Sequence, residues 1–488
     1  MRSPQIGFLA LAALLPTLVW SAVDAPVQLP QTPLAAATRV WLRICQAPSL
    51  ERFTQWATAN VADEVAKQEP PKDLAQEDFD SCTEQGGLRV IEVTESTPQQ
   101  LSLKTVGMKS GIWLELSRSM NAAGKLDRLS LLPTAPLENS LPQDLSDAGI
   151  ARYVRSTVTR LSQAGLFSGI VTVARGTQVI ATASAGFANR QRKTPITGDT
   201  QFTLGSMGKL FTAVAIGQLI DQGKVSLNDL VGRFFPDYPN WTVRNKVTVQ
   251  MLLSHTAGMG NFLGKRTPSM MQAGVRRAVD FMPLYEYDEP QFVPGSSWAY
   301  SNAGLALAGA IVEKVSGEDY PDYLRKHIFT VAGMTNSDPN NVPRPFPALV
   351  TPYTRMSELG PAGAWHEAQH DIGSPAGGAI STADDLVRFA DSLRNGKLLS
   401  KTTFESFTRP SSRSPPGFRY GDAFEIEDIY GRTAVGHGGG FPGVSTHLHI
   451  FLDAPYTVVV LANQDPPTDM YAGSAVTALI AERAKSAR

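Results

Sequence analysis

The sequence predicts an α+β protein in two parts: a small N-terminal α+β domain over residues 37–135 and a larger domain over residues 145–485. Three observations carry this. A helical pattern followed by strand-like stretches precedes a break marked by Pro133, Pro136 and Pro142. Strand-like runs near the start of the larger part, Gly169–Ala174 and Gln178–Ala185, are mirrored near the chain end by Val444–Leu452 and Thr457–Asn463. Each pair has a helix beside it, and residues 206–400 between them read mainly as helix. Strands and helices shared by the two ends imply one antiparallel sheet flanked by helices, with a mainly helical region inserted between its halves.

The elements follow in order. Arg2 and an apolar run from Ile6 to Trp20, broken by Pro16 and followed by Ser21, Ala22 and Ala25, read as a signal peptide over residues 1–25. A permanent anchor is the alternative, disfavoured by the proline and the short run. Residues 26–35 read as a linker, and Ala37 to Lys67 as helix ending before Pro70-Pro71. Past Gly86-Gly87 come three strand-like stretches: Leu88–Thr94, Leu101–Val106 with Ile112–Leu116, and Leu126–Leu132. A nuclear-transport-factor-like cone is one architecture this order allows. The larger part opens with an amphipathic helix near Asp144–Ala164, and Arg175-Gly176 turns the hairpin after it. A helix from about Asp469 to Ala484 closes the chain.

The chain has 488 residues, 42% apolar and 18% charged, enough for two cores. A net charge of −1 argues against nucleic acid as a partner. No later segment is apolar enough to span a bilayer, so the mature chain is expected to be periplasmic or secreted. Cys45 and Cys82 are the two cysteines, expected to pair in an oxidising compartment, with two unlinked thiols as the alternative. No Cys/His cluster shows metal-ligand spacing, so no metal and no cofactor is expected.

Three motifs carry chemistry. In Ser206-Met207-Gly208-Lys209, Gly205 permits a sharp turn and a buried helix follows, ending at Gly223. Positions i and i+3 are neighbours on a helix, so Lys209 projects beside the Ser206 hydroxyl as a candidate base. SxxK by itself arises about once by chance in a chain of this size. Tyr300-Ser301-Asn302 precedes another buried helix, ending at Gly317. Tyr300 is a candidate proton shuttle, with its phenolate favoured by Lys209. Asn302 would orient Lys209, in competition with a role as helix cap. A second Tyr-x-Asn, Tyr238-Pro239-Asn240, lies in a proline-rich loop and is set aside. In His437-Gly438-Gly439-Gly440, glycines permit close backbone approach and an N–H for an oxyanion, or simply form a hairpin at the sheet edge.

Together these motifs resemble the serine β-lactamase and penicillin-binding-protein-like family, and more closely its branch of class C β-lactamases, bacterial esterases and D-aminopeptidases. The resemblance covers about residues 145–485. Leu252 to Gly258 and Gly377 to Thr382 carry it too. It implies a β-lactamase-like fold, Ser206 as acylated nucleophile, Lys209 and Tyr300 as proton carriers, and Asn302 as positioning group. It also implies that His437 to Gly440 lie on the edge strand lining the pocket, with the Gly440 N–H as second oxyanion donor. His255 falls in a loop usually away from chemistry and is expected to be structural. Phe281, Tyr285, Tyr287 and Phe292 either wall the pocket or pack the core. β-Lactamases carry Lys-Thr-Gly where this chain has His437; an imidazole is mostly neutral at pH 7 and anchors a carboxylate poorly. The expected substrate is therefore a small ester, amide or short peptide. A D-amino acid peptidase or penicillin-binding protein is the alternative within the fold, and a catalytically silent binding protein the alternative outside enzymes.

Overall fold

The computed structural model describes residues 27–265, 275, 277–341, 345–356, 364–370, 372–415 and 417–486. The expected signal peptide lies outside them. Among the described residues no helix is long and apolar enough to cross a membrane.

The chain divides into two compact units. The first gathers the described residues up to Cys82 with Gly87–Val106 and Glu115–Ser130. The helix expected over residues 37–67 is three: Pro33–Gln46, Leu50–Asn60 and Asp63–Gln68. Pro48 cannot continue the first, and Ser49 caps the second by accepting from the Arg52 N–H. Pro71, expected to follow a helix, starts one instead, Pro71–Gln85; a first-turn proline loses no helical hydrogen bond. Trp41, Phe53 and Leu103 are fully buried. Cys45 and Cys82, also fully buried, are joined by a disulfide. The middle strand-like stretch becomes two strands, Gln100–Gly107 and Trp113–Met120, in a sheet ordered Leu88–Ser96, Gln100–Gly107, Trp113–Met120, Leu126–Pro133.

The second unit takes Thr83–Gly86, Gly107–Leu114 and the described residues from Leu131 onward. Its antiparallel sheet has seven strands in the order Arg419–Tyr420, Glu425–Ile429, Arg432–Phe441, Val444–Phe451, Tyr456–Ala462, Gly169–Arg175, Gln178–Ala185. The last strand in the chain thus pairs with the first of this sheet, Val460 opposite Val171. Helices Asp147–Gln163 and Thr468–Ser486 pack together beside it. Between the halves run two helices buried on nearly all sides, Lys209–Asp221 and Asn302–Ser316, as apolar residues around the whole circumference require. They pack against each other. Each begins on a residue from a sequence motif, Lys209 in one and Asn302 in the other.

Candidate active site

Ser206 sits in a 3-10 turn, Gly205–Gly208, directly before the helix that Lys209 begins. Gly205 has φ +54°, and a Cβ there would stand 3.0 Å from Gly440 N. Glycine is therefore needed both for the conformation and for the approach of the strand. The turn is braced on its other side: Gly378 N donates to Gly205 O at 3.0 Å, and Leu204 N to Ala379 O at 2.8 Å. The Gly377–Thr382 segment thus fixes the backbone around Ser206.

Lys209 is fully buried. Its Nζ lies 3.0 Å from Ser206 Oγ, 2.7 Å from Asn302 Oδ1 and 2.6 Å from the Ala376 carbonyl oxygen. Asn302 Nδ2 donates to Asn261 Oδ1 at 3.1 Å, which leaves Oδ1 as the acceptor facing Lys209. Burial holds the Lys209 pKa well below its ordinary value, against the pull of Glu425. A neutral amine has two N–H donors and one lone pair. As an ammonium, Nζ donates to all three oxygens; as an amine, it can keep Asn302 Oδ1 and the Ala376 carbonyl as acceptors and turn its lone pair to the serine hydroxyl. Asn302 does not cap its helix: Ser301 does, accepting from Gly304 N at 2.9 Å. The competition expected for Asn302 does not arise, because the cap is one residue earlier.

Tyr300 hydrogen-bonds Ser206, and its ring centroid lies 4.7 Å from Lys209 Nζ. The expected phenolate is overturned. Desolvation raises the Tyr300 pKa further than its bond to Ser206 lowers it, and Glu425 raises it again. Tyr300 stands as a phenol hydrogen-bonded to Ser206, which also accepts from Lys209 Nζ.

His437 is fully buried, and burial lowers its pKa despite Glu425 nearby. Its strand, Arg432–Phe441, is an edge only beyond residue 436, because pairing with Glu425–Ile429 stops at Glu425 opposite Gly436. There Gly438 N donates to Glu425 Oε2 at 3.1 Å. Strand N–H groups alternate in direction, so the Gly440 N–H, two residues on, points to the same open side. Gly439 cannot be anything larger: its Cβ would meet Leu204 O at 1.9 Å.

His255, expected to be structural, lies close to the site. His255, at φ +60°, is fully buried, with its ring 4.4 Å from that of Tyr300. Its Nδ1 accepts from Ser301 N at 3.1 Å, so its proton is on Nε2, 3.0 Å from Tyr420 Oη. The Tyr420 phenol then donates to His437 Nε2, 3.0 Å away. This puts the His437 proton on Nδ1, facing the Gly438 carbonyl at 2.5 Å and Glu425 at 3.4 Å. The chain of donors joins the second motif to the third with both imidazoles neutral. Tyr420→Phe leaves two buried imidazole nitrogens unpaired, and should lower stability by about 2 kcal/mol or more in a denaturant titration. An unchanged midpoint would show that the bridge contributes nothing.

Ser206, Tyr300, His437 and Gly438–Gly440 line one cavity of about 850 Å³. Of the two readings of Phe281, Tyr285, Tyr287 and Phe292, the core one holds for Phe281 and Tyr285, and none of the four lines the cavity. Phe281 and Tyr285 pack in the core against Phe262, and Tyr287 is exposed. Phe418 and Arg419 line the cavity instead. The sequence reading missed Ala376, Asn261, Tyr420 and Glu425, which no local pattern marks. It also missed His447-x-His449, although residues two apart on a strand share a face.

A serine hydroxyl and a phenol on one cavity wall, with a buried lysine amine behind them, have the make-up of a serine acyl-transfer site. The comparisons place it. A family profile described as Beta-lactamase matches residues 151–482, and the chain belongs to that family; its members' fold and chemistry make it a serine hydrolase. It is 27% identical to penicillin-binding protein 4* of Bacillus subtilis over 339 residues, 65% of this chain and 73% of that one. It is 30% identical to esterase EstB of Burkholderia gladioli over 171 residues, 32% of this chain and 43% of that one. The solved structure of a penicillin-binding protein from Bacillus halodurans superposes with a TM-score of 0.57 at 28% identity, covering 70% of this chain and 99% of that one.

Proposed function

We propose that this protein is an exported serine hydrolase that cleaves esters or small amides through an acyl-serine intermediate. The observation that carries the reading is the position of Lys209: its Nζ lies 3.0 Å from Ser206 Oγ between two fixed acceptors, so that loss of one proton frees a lone pair for Ser206. Ser206 attacks the substrate carbonyl as its proton passes to Lys209. The oxyanion rests on the backbone N–H groups of Ser206 and Gly440. Tyr300, as a phenol, carries the proton from Lys209 to the leaving group. In the second step a water enters, gives its proton back along the same path, and releases the acid and free serine. Asn302 holds Lys209 in place and meets the substrate through its amide. The leader-like N terminus and the Cys45–Cys82 disulfide support export to the periplasm or beyond. The esterase among the relatives supports the ester reading.

The penicillin-binding proteins among the relatives favour a second reading, action on D-amino acid peptides or binding of β-lactams. The buried, neutral His437 weighs against it, because these ligands carry a carboxylate that a lysine would hold. A panel of activated esters, D-amino acid amides and β-lactams, each followed by mass spectrometry of the quenched protein, tests both. Ester or amide adducts on Ser206 are expected; adducts formed by β-lactams alone would overturn the first reading. His437→Lys combined with Glu425→Gln, which removes the carboxylate 3.4 Å from the imidazole, should raise penicillin acylation by about tenfold. No gain would sink the charge argument.

A further inference from the structure

We propose that His447, His449 and Glu427 form a binding site for a divalent cation of the zinc class in the wall of the same cavity. The strand Val444–Phe451 presents His447 and His449 on one face, their rings stacked at 3.9 Å with 5° between planes. The strand Glu425–Ile429 presents Glu425 and Glu427. Between them runs Arg432–Phe441, where the residues under the cluster are Ala434, Gly436 and Gly438. A Cβ on Gly438 would stand 3.5 Å from His447 Nδ1 and 3.7 Å from Glu425 Oε2. The small residues of the middle strand therefore leave a trough across which imidazoles and carboxylates meet.

Donor-atom spacing fits a shared cation as well as direct ion pairs. Glu427 Oε1 lies 3.4 Å from His447 Nε2 and 3.3 Å from His449 Nε2, and Glu425 Oε2 lies 3.5 Å from His447 Nε2. One donor atom from each of Glu427, His447 and His449 falls within 4.8 Å of the others. Charge-assisted N–H···O bonds close to about 2.7–2.9 Å. Ligands at about 2.0–2.2 Å around a tetrahedral zinc ion are instead separated by about 3.3–3.5 Å. The other ring nitrogens are held as a metal site requires. His447 Nδ1 faces Asp469 Oδ2 at 3.4 Å, and His449 Nδ1 faces Thr477 Oγ1 at 3.4 Å. Asp469 is itself fixed by the Ser445 hydroxyl, 2.5 Å away. Two imidazoles and one carboxylate suit zinc, cobalt or nickel better than magnesium or calcium, with the fourth position left to water.

The site also reaches the acyl pocket. Glu425 accepts the Gly438 N–H and lies 3.4 Å from His437 Nδ1, so occupancy would set the charge behind the third motif. The cation site stands on its own geometry and survives failure of the hydrolase reading.

The test uses the tag-free full-length chain, stripped with chelator and titrated with Zn²⁺ calorimetrically, then with Co²⁺ by visible absorption. One high-affinity equivalent is expected, with the intense d–d bands of tetrahedral Co²⁺. Glu427→Gln, close in shape and partly exposed, and His449→Ala should each weaken Zn²⁺ at least a hundredfold. Asp469→Asn should weaken it about tenfold to a hundredfold. His327→Asn, which disrupts the separate His327–Glu318 pair, should leave binding unchanged. Binding weaker than millimolar by the parent chain, octahedral Co²⁺ bands, or equal affinity in the Glu427 and His449 variants would each overturn the proposal.

Discussion

Ser206→Ala should reduce turnover of an activated ester by about 10⁴-fold or more and abolish the acyl adduct, while the folded state persists. The size follows from chemistry: without the hydroxyl no covalent intermediate forms, and only binding and the oxyanion donors remain. The fold should tolerate the change because Ser206 is half-buried at the cavity. Its side-chain partners, Lys209 and Tyr300, serve the site rather than the core. The turn itself is held by backbone bonds from Gly378 and by the fit of Gly205 against the Gly439–Gly440 strand. Steady-state kinetics, with a thermal melt beside it, decide the matter. Retained activity in a variant shown by sequencing to lack the serine would remove the nucleophile from the mechanism.

Lys209→Met is the second large effect, a loss of about 10³-fold or more in kcat/KM. The parent enzyme should show why. The working form of Lys209 is the neutral amine, so kcat/KM should rise with pH through the Lys209 pKa, which burial places well below 10.5. Stability should move the same way. In the unfolded chain the lysine holds a proton up to its ordinary pKa, whereas in the folded chain it has released it at lower pH. Between those two values the unfolded state binds more protons, so stability increases as pH rises. Lys209→Met should erase that slope in the difference between parent and variant midpoints below pH 10.5. A parent pH profile with no basic requirement, or a slope unchanged by the substitution, would assign the base elsewhere.

Much of this site was legible in the chain because its chemistry is local in sequence. Ser206 and Lys209 sit one helical turn apart, so their neighbourhood needs no long-range contact. The glycines around His437 announce close backbone approach before any partner is known. Strand periodicity placed both ends of the chain in one sheet, as the pairing of Tyr456–Ala462 with Gly169–Arg175 shows. The helices near the N terminus were less legible. Their punctuation depends on single residues: Pro71 starts a helix where it was expected to follow one, and Ser49 and Thr32 act as caps.

By itself, then, the amino-acid order determined which residues carry reactive groups, the α+β class and the assembly of the sheet from both termini. Tertiary packing decided their charge states and their company. Whether Lys209 is an ammonium or an amine, and Tyr300 a phenol or a phenolate, depends on the loss of water around them and on acceptors more than 90 residues away. Likewise, His255, Tyr420 and His437 become one donor chain, and Glu427 meets His447 and His449, only after three strands align. Protonation and coordination are set by what surrounds an atom in space, and sequence neighbours supply little of that surrounding in a buried site.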